Sequence, residues 1–160
     1  MDKVQQLACH LGEQLLQKQM MLATAESCTG GWVAKVITDI PGSSRWFERG
    51  FVTYTNIAKQ EMLDVSAETL EMYGAVSEQT VQAMAQGALV HSHAQLSVAV
   101  SGIAGPGGAV PGKPVGTVWF AWANVSGAVE TYMECFSGDR EAVRQKAVWV
   151  ALEGLRDAAG

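Results

Sequence analysis

Apolar residues recur along the chain in two periods, which divide its first quarter into helix, strand and helix. From residue 3 to about 18 they fall at helical spacing, with glutamine and lysine between them. The apolar run 20–25 has the length of a buried strand instead. A second helix is predicted from about 32 to 40, where Pro41 and Gly42 stop it.

The middle of the chain repeats this alternation. Residues 47–55 are rich in aromatic and β-branched side chains and predict a second strand, after which Asn56 is placed to cap a short helix. Another short helix, 68–73, is closed by Gly74. Ser77 is predicted to cap a longer helix, whose apolar residues form one buried stripe.

The last third of the chain contains three more predicted strands and one helix. Residues 96–101 are short and almost wholly apolar, as expected for a parallel strand that is covered on both faces. Residues 115–124 and 128–136 predict an antiparallel hairpin. Asp139 is placed to cap a final helix over about 140–155.

Strands mixed with helices predict an α/β fold, a layered α/β/α sandwich with a mixed sheet of about five strands. The 160 residues, 48% of them hydrophobic, suffice to bury one continuous core, and we expect a single domain over 1–160. In such sheets ligands bind at the carboxyl ends of the strands. Two glycine-rich loops and Lys59 fall at such ends.

The charge and the cysteines limit the possible partners and compartment. A net charge of −5 gives no electrostatic footprint for nucleic acid or for an anionic membrane surface. No apolar run approaches the roughly 18 residues of a membrane span. Three cysteines without CxxC spacing, and no segment that resembles a signal peptide, predict a cytoplasmic protein.

The segment 25–32 places nucleophilic side chains where a predicted strand turns into a helix. Ser27, Cys28 and Thr29 stand directly before two glycines. Paired glycines let a backbone approach a ligand closely, and the free N–H groups of a helix start attract an anion or a developing oxyanion. The same residues also fit a plain glycine turn with Thr29 as the helix N-cap.

The second glycine-rich loop, 102–112, matches neither common nucleotide fingerprint. It lacks the Gly-Lys-Ser/Thr ending of a phosphate-binding P-loop, and it opens no predicted helix as a dinucleotide site requires. Its backbone N–H groups can still cradle a single phosphate.

The three histidines argue against two common hydrolytic sites. None has metal-ligand spacing with a cysteine, so no metal site is expected. A Ser-His-Asp triad is not expected either, which leaves a lysine or a carboxylate as the base for any nucleophile.

Lys59 is the most informative candidate base. A cation in the first turn of a helix faces the positive end of the macrodipole, and partial burial would lower its pKa further. A neutral amine at working pH is a general base. The competing interpretation is an ordinary surface lysine.

Five ordered motifs resemble the CinA C-terminal family, whose stand-alone members act as nicotinamide-nucleotide amidases. The resemblance covers about 22–151, with two small departures: Ala109 replaces a common glycine and Ser101 a frequent threonine. The motifs are Thr24-Ala25-Glu26-Ser27-Cys28-Thr29-Gly30-Gly31, Phe51-Val52-Thr53-Tyr54 with Asn56 and Lys59, Gly74-Ala75-Val76-Ser77, Ser101-Gly102-Ile103-Ala104-Gly105-Pro106-Gly107-Gly108, and Pro114-Val115-Gly116-Thr117-Val118-Trp119.

The resemblance implies hydrolysis of the carboxamide of nicotinamide mononucleotide by a serine and lysine dyad, without metal or another cofactor. Matching the motifs places the nucleophile at Ser27 and the base at Lys59, with Tyr54 polarising one of the two. Ser44 is the rival nucleophile, because sequence alone does not show which hydroxyl faces the lysine.

The resemblance also suggests how the substrate is held. Glu26 is expected to balance the pyridinium charge, backbone N–H groups of 28–30 to form the oxyanion hole, and the loop 102–108 with Arg140 to bind the phosphate. The full set of expected substrate contacts is Glu26, Cys28, Thr29, Gly30, Ser44, Asn56, Ser101, Gly102, Gly105 and Arg140.

Two other functions fit the same motifs. The domain can bind a nucleotide without turning it over, as expected of a domain related to competence and damage-inducible proteins, or it can be a nucleotide-dependent phosphotransferase. A small nucleotide is the expected partner in each case. Four tryptophans, Trp46, Trp119, Trp122 and Trp149, exceed what a small core needs, so a homodimer is also expected.

Overall fold

Six α-helices and five β-strands alternate along the chain, and the computed structural model describes all of residues 1–160. In chain order the elements are α1 (Lys3–Gln17), β1 (Leu22–Glu26), α2 (Trp32–Thr38), a 3₁₀ turn (Ser43–Arg45), β2 (Phe47–Val52), α3 (Asn56–Leu63), α4 (Ala67–Tyr73), α5 (Glu78–Val90), β3 (Leu96–Gly102), β4 (Thr117–Asn124), β5 (Val129–Cys135) and α6 (Arg140–Ala159).

The strands form one mixed sheet in the order β2-β1-β3-β4-β5. β1 runs parallel to both of its neighbours, β2 and β3, while β4 and β5 are antiparallel additions at the other edge. The chain leaves β1 toward β2 through α2 and then returns past β1 to β3 through α3–α5. The predicted α/β sandwich with a mixed five-stranded sheet is confirmed, and its topological switch point lies between β1 and β3.

The two faces of the sheet carry side chains of different size. Val98 and Val100 point to the face covered by α1, α2 and α6, which holds the larger apolar cluster. Ala25, Ala99 and Ala121 point to the opposite face, where α5 packs. Successive strand residues point to opposite faces, so the two faces correspond to the alternation of large and small residues along each strand in the sequence.

Two helix caps differ from those that the sequence suggested, although α2 starts where it was predicted. α2 begins after Gly31, at a φ of +100°, and the Thr29 hydroxyl donates to Glu26 instead of capping a helix. α3 is capped by Thr55, whose hydroxyl accepts from the N–H of Ala58, so the predicted cap at Asn56 is wrong by one residue. The N–H groups at the start of α2 donate to the Glu26 carboxylate, and the Ala58 N–H of α3 donates to the Thr55 hydroxyl.

The last helix, α6, is also longer than predicted and reaches Ala159. Its N-cap is Asp139, as predicted, and its buried side chains face α1 and the sheet. Charged residues occupy its other faces along the whole length. Neither α6 nor any other helix has the length and apolar character that crossing a membrane requires.

Candidate active site

A pocket of about 320 Å³ opens at the carboxyl edge of the parallel strands, at the switch point between β1 and β3. Its walls come from the turn after β1, the start of α3, the loop after β3 and the start of α6. Nine of the residues expected from the sequence line it: Ser27, Cys28, Tyr54, Asn56, Lys59, Ser101, Gly102, Gly105 and Arg140.

A larger groove of about 560 Å³ lies elsewhere, between α1, α2 and α6, with Trp32 and Trp149 in its walls. It contains no serine, threonine, cysteine or histidine. This groove exceeds the smaller pocket in volume, but it offers no hydroxyl or thiol nucleophile, whereas the smaller pocket has several.

Ser27 is the first residue after β1, and the sheet fixes its position. Its backbone N–H donates to the carbonyl of Val100 in β3 at 2.9 Å, which continues the parallel ladder by one residue. The turn that follows closes through the N–H of Gly30, which donates to the Ser27 carbonyl at 3.0 Å. The Ser27 hydroxyl therefore stands at a well-defined point of the pocket floor.

Lys59 reaches this hydroxyl from α3. Its Nζ lies 3.1 Å from Ser27 Oγ and 3.0 Å from the carbonyl oxygen of Thr53, and the side chain is only 1% exposed. No carboxylate pairs with it. Burial lowers the pKa of Lys59 below its ordinary value, because desolvation penalises the charged form. A buried amine with this preference for the neutral form can accept a proton from the hydroxyl beside it.

Cys28, the second nucleophilic side chain of the turn, has the opposite tendency. Burial, assisted by the nearby negative charge of Glu26, raises the pKa of its thiol to about 12. A thiol attacks as the thiolate, so this side chain stays unreactive at neutral pH. Of the two side chains, only the Ser27 hydroxyl has a buried amine beside it that can accept its proton.

Glu26 does not face the pocket, and this contradicts its expected role beside the pyridinium ring. Its buried carboxylate accepts the Thr29 hydroxyl at 2.6 Å and the backbone N–H groups of Val33 and Ala34 at 2.9 and 3.0 Å. A carboxylate at a helix start is stabilised by the free N–H groups and the macrodipole there. Glu26 therefore fixes the turn to α2 and leaves no oxygen for a ligand.

Three further expected contacts also lie outside the pocket. Ser44 is exposed in the 3₁₀ turn before β2, at the amino ends of the parallel strands. Because β1 spans five residues, Ser44 is roughly 16 Å from the edge where Ser27 stands. Thr29 is buried behind the turn, and the N–H of Gly30 is already bonded. Ser44 therefore does not face Lys59.

Tyr54 and Arg140 meet at the rim of the pocket. The Arg140 guanidinium donates to the Tyr54 hydroxyl and to the Gly105 carbonyl, both at 2.8 Å. The Tyr54 hydroxyl makes no hydrogen bond to Ser27 or Lys59, so it does not polarise either of them in this arrangement.

The loop after β3 brings unbonded backbone donors to the pocket. The N–H groups of Ala104, Gly105, Gly107 and Gly108 make no hydrogen bond within the chain. Gly105 has a φ of +86°, and a Cβ there would lie 2.5 Å from Val115, so only glycine fits. These donors suit an anionic group of a ligand.

Two functional contacts were missed by the sequence analysis. The Thr53 carbonyl holds Lys59, and a backbone acceptor leaves no mark in the sequence. Arg144 donates to the carbonyls of Cys28 and Thr29 at 3.0 and 3.3 Å and so stabilises the turn that carries Ser27. Its position four residues after Arg140, on the same face of α6, was a usable signal.

The His, Cys, Asp and Glu side chains form no group of three or more that could hold a metal ion. The donors around Ser27 are instead an amine, hydroxyls and backbone amides. This set suits an anion and a carbonyl oxygen.

The comparisons agree with this geometry. A family model described as the CinA C-terminal domain matches residues 4–159. Nicotinamide-nucleotide amidohydrolase PncC of Escherichia coli is 57% identical over 154 residues, which are 96% of this chain and 93% of that protein. A CinA-like protein of Akkermansia muciniphila is 55% identical over 152 residues, which are 95% of this chain but 36% of that longer protein.

Solved structures show the same fold. The crystal structure of competence/damage inducible protein CihA from Agrobacterium tumefaciens superposes with a TM-score of 0.95 at 46% identity, and the match covers 99% of this chain and 96% of that one. With a family match over nearly its whole length, the chain belongs to the CinA C-terminal domain family.

Proposed function

We propose that this protein hydrolyses the carboxamide of nicotinamide mononucleotide to nicotinate mononucleotide and ammonia, with Ser27 as nucleophile and Lys59 as base. The observation that carries the proposal is the 3.1 Å contact between the buried, unpaired Lys59 amine and the Ser27 hydroxyl. The name and 57% identity of the amidohydrolase relative support the choice of substrate.

The first step is proton transfer and attack. A neutral amine has one lone pair, and Lys59 can donate an N–H to the Thr53 carbonyl while its lone pair faces the Ser27 hydroxyl. Lys59 then takes the hydroxyl proton as Oγ attacks the amide carbon. The electron-poor pyridinium ring makes that carbon a better electrophile.

The oxyanion is stabilised by backbone donors of the turn. The N–H of Gly30 is committed to the Ser27 carbonyl, and Thr29 is fully buried outside the pocket. The expected donor is therefore Cys28, whose N–H is unbonded and which lines the pocket. Each such donor typically contributes about 3 kcal/mol to transition-state stabilisation.

The tetrahedral adduct collapses when the C–N bond breaks, and protonated Lys59 returns its proton to the departing ammonia. Water then attacks the acyl-serine while Lys59 takes one of its protons, and Lys59 returns that proton to Ser27 Oγ as the C–Oγ bond breaks. The products are the carboxylate and ammonia, and the free enzyme is regenerated.

The phosphate of the substrate is assigned to the other end of the pocket. Arg140 supplies a positive charge, and the loop after β3 supplies unbonded N–H groups; both suit a phosphate. We place the reaction in pyridine nucleotide recycling toward NAD biosynthesis, within a single domain over 1–160 of a cytoplasmic protein.

The second candidate is a nucleotide-binding domain without turnover. It is favoured by the match to a longer CinA-like protein, of which this chain spans only 36%. A buried lysine without a counter-ion is a costly feature that binding alone does not require, which favours the enzyme.

One assay separates the two. Ammonia release from nicotinamide mononucleotide is followed with and without EDTA, and binding is measured in parallel by calorimetry. We expect multiple turnovers that are insensitive to the chelator. Tight binding without ammonia release would support the binding domain, and loss on chelation that zinc restores would overturn the lysine mechanism.

A further inference from the structure

Tyr54 lines the same pocket as Ser27 and Lys59 but makes no hydrogen bond to either of them. Lys59 is held instead by the backbone carbonyl of the preceding residue, Thr53, which is buried. Tyr54 is 58% exposed at the pocket rim, where its hydroxyl accepts from Arg140.

Arg140 is the side chain that Tyr54 does contact. The guanidinium is held at two points, by the Tyr54 hydroxyl on one terminal nitrogen and by the Gly105 carbonyl on the other, each at 2.8 Å. No carboxylate pairs with it. A guanidinium has five N–H donors, so three remain for an anion after these two bonds are made.

We propose that Tyr54 is a positioning residue for the phosphate of the substrate, acting through Arg140 and not through the dyad. The proposal rests on the proposed function for the identity of the substrate. Tyr54 and Gly105 together hold the long Arg140 side chain in one orientation before the ligand arrives. The binding step then avoids much of the ordering cost of a free arginine on the surface.

The variant Tyr54→Phe keeps the ring and removes only the hydroxyl. With nicotinamide mononucleotide we expect KM to rise about 3–10-fold while kcat stays within about twofold, since a lost ground-state contact changes KM alone. With nicotinamide riboside, which lacks the phosphate, the variant should match the wild type. Arg140→Ala should give a larger KM increase, and adding Tyr54→Phe to it should change nothing more.

The matched control is Tyr132→Phe, an exposed tyrosine on β5 whose hydroxyl bonds only to Glu134 and which lies outside the pocket. A fall in kcat that is equal for mononucleotide and riboside would show that Tyr54 acts on the dyad and would overturn the proposal. Unchanged kinetics of Tyr54→Phe on the mononucleotide would overturn it as well.

A binding measurement keeps this test independent of the proposed chemistry. In a Ser27→Ala background, calorimetry with nicotinamide mononucleotide should show the same 3–10-fold loss of affinity on adding Tyr54→Phe. If the wild type releases no ammonia, the amidase proposal fails, but this affinity difference still supports or overturns the role of Tyr54.

Discussion

Lys59 is the base in the proposed mechanism, and its surroundings are unusual for a lysine. Lysine is almost never fully buried unless it is paired, yet this side chain is 1% exposed and contacts only a hydroxyl and a carbonyl. Its charged form is therefore destabilised in the folded state. A stability cost of this kind is typical of functional sites, where a perturbed pKa serves the reaction.

The pH dependence of kcat/KM follows from this lowered pKa. Below the folded pKa of Lys59 the amine is protonated and has no lone pair, so activity is low; above it the neutral amine accepts the Ser27 proton. We expect kcat/KM to rise with pH and to level off well below 10.5, the ordinary lysine value. A rate that keeps rising to that value would contradict the lowered pKa.

The two candidate serines, Ser27 and Ser44, lie at opposite ends of the parallel strands. We therefore expect different outcomes for their alanine variants. Ser27→Ala should lower kcat at least ~1,000-fold while mononucleotide affinity changes only a few-fold, because the hydroxyl acts in the chemical step. Ser44→Ala should retain wild-type rates, since Ser44 stands at the opposite edge. Ammonia release and calorimetry measure both, and the reverse pattern would move the nucleophile.

At the level of single residues, the sequence predicted which residues line the pocket more accurately than it predicted the contacts of each one. Glu26 stands beside Ser27 in the chain, but the start of α2 takes both of its oxygens. Tyr54 lines the pocket, but its hydroxyl bonds to Arg140 and not to the dyad. Adjacency in a motif does not show direction, and direction depends on the backbone path and on the neighbouring helix.

Among the elements, α6 connects the core to the site. Its first turns present Arg140 to the loop after β3 and Arg144 to the Ser27 turn, and its later turns pack on α1 and the sheet. A one-turn shift of α6 would therefore disturb both the substrate site and the hydrophobic core.

Gly154 tests the packing of α6 against β4. A Cβ at this position would lie 2.1 Å from the Trp122 ring, whose Nε1–H donates to the Ala151 carbonyl at 3.0 Å. Gly154→Ala should gain ~1 kcal/mol in helix propensity, but forcing the indole aside costs more. We expect a net loss of about 1–2 kcal/mol and a Tm about 3–6 °C lower.

The matched control is Gln145→Ala, an exposed position on the same helix, which should leave Tm within about 1 °C. Scanning calorimetry measures both variants. A stabilised Gly154→Ala protein would show that the indole moves freely and that this contact does not constrain α6.

The elements themselves were largely predictable, because apolar periods differ between helix and strand and glycine, proline and cap residues mark the ends. β5 and the hairpin turn before it follow directly from such signals. The errors are confined to helix ends: at α3 the adjacent Thr55 caps the helix instead of Asn56, and at α2 Glu26 accepts the helix N–H groups instead of Thr29. Side-chain geometry decides between them.

For the whole molecule, the sheet order explains why separate motifs form one site. The chain leaves β1 toward β2 on one side, and β3 lies on the other, so the loops after all three strands converge at one edge. The sequence predicted this edge. It did not predict the hydrogen bonds that Arg140 and Arg144 of α6 make to the loops, which depend on how the last helix packs across the sheet.

The tryptophans that suggested a homodimer are partly accounted for by the core. Trp46 and Trp122 are 2% and 8% exposed, so they no longer argue for a second subunit. The homodimer stays a prediction, which light scattering tests: twice the chain mass of 17.0 kDa would support it, and a single chain mass would refute it.

The most direct test of the central claim, that neutral Lys59 is the base for Ser27, is the rate of ammonia release by Lys59→Arg. Arginine keeps the positive charge and much of the length, but a guanidinium does not give up its proton. We predict a rate at least ~100-fold below wild type, with mononucleotide affinity retained within a few-fold. Activity within tenfold of wild type would contradict the lysine mechanism and return the search for the base to another group in the pocket.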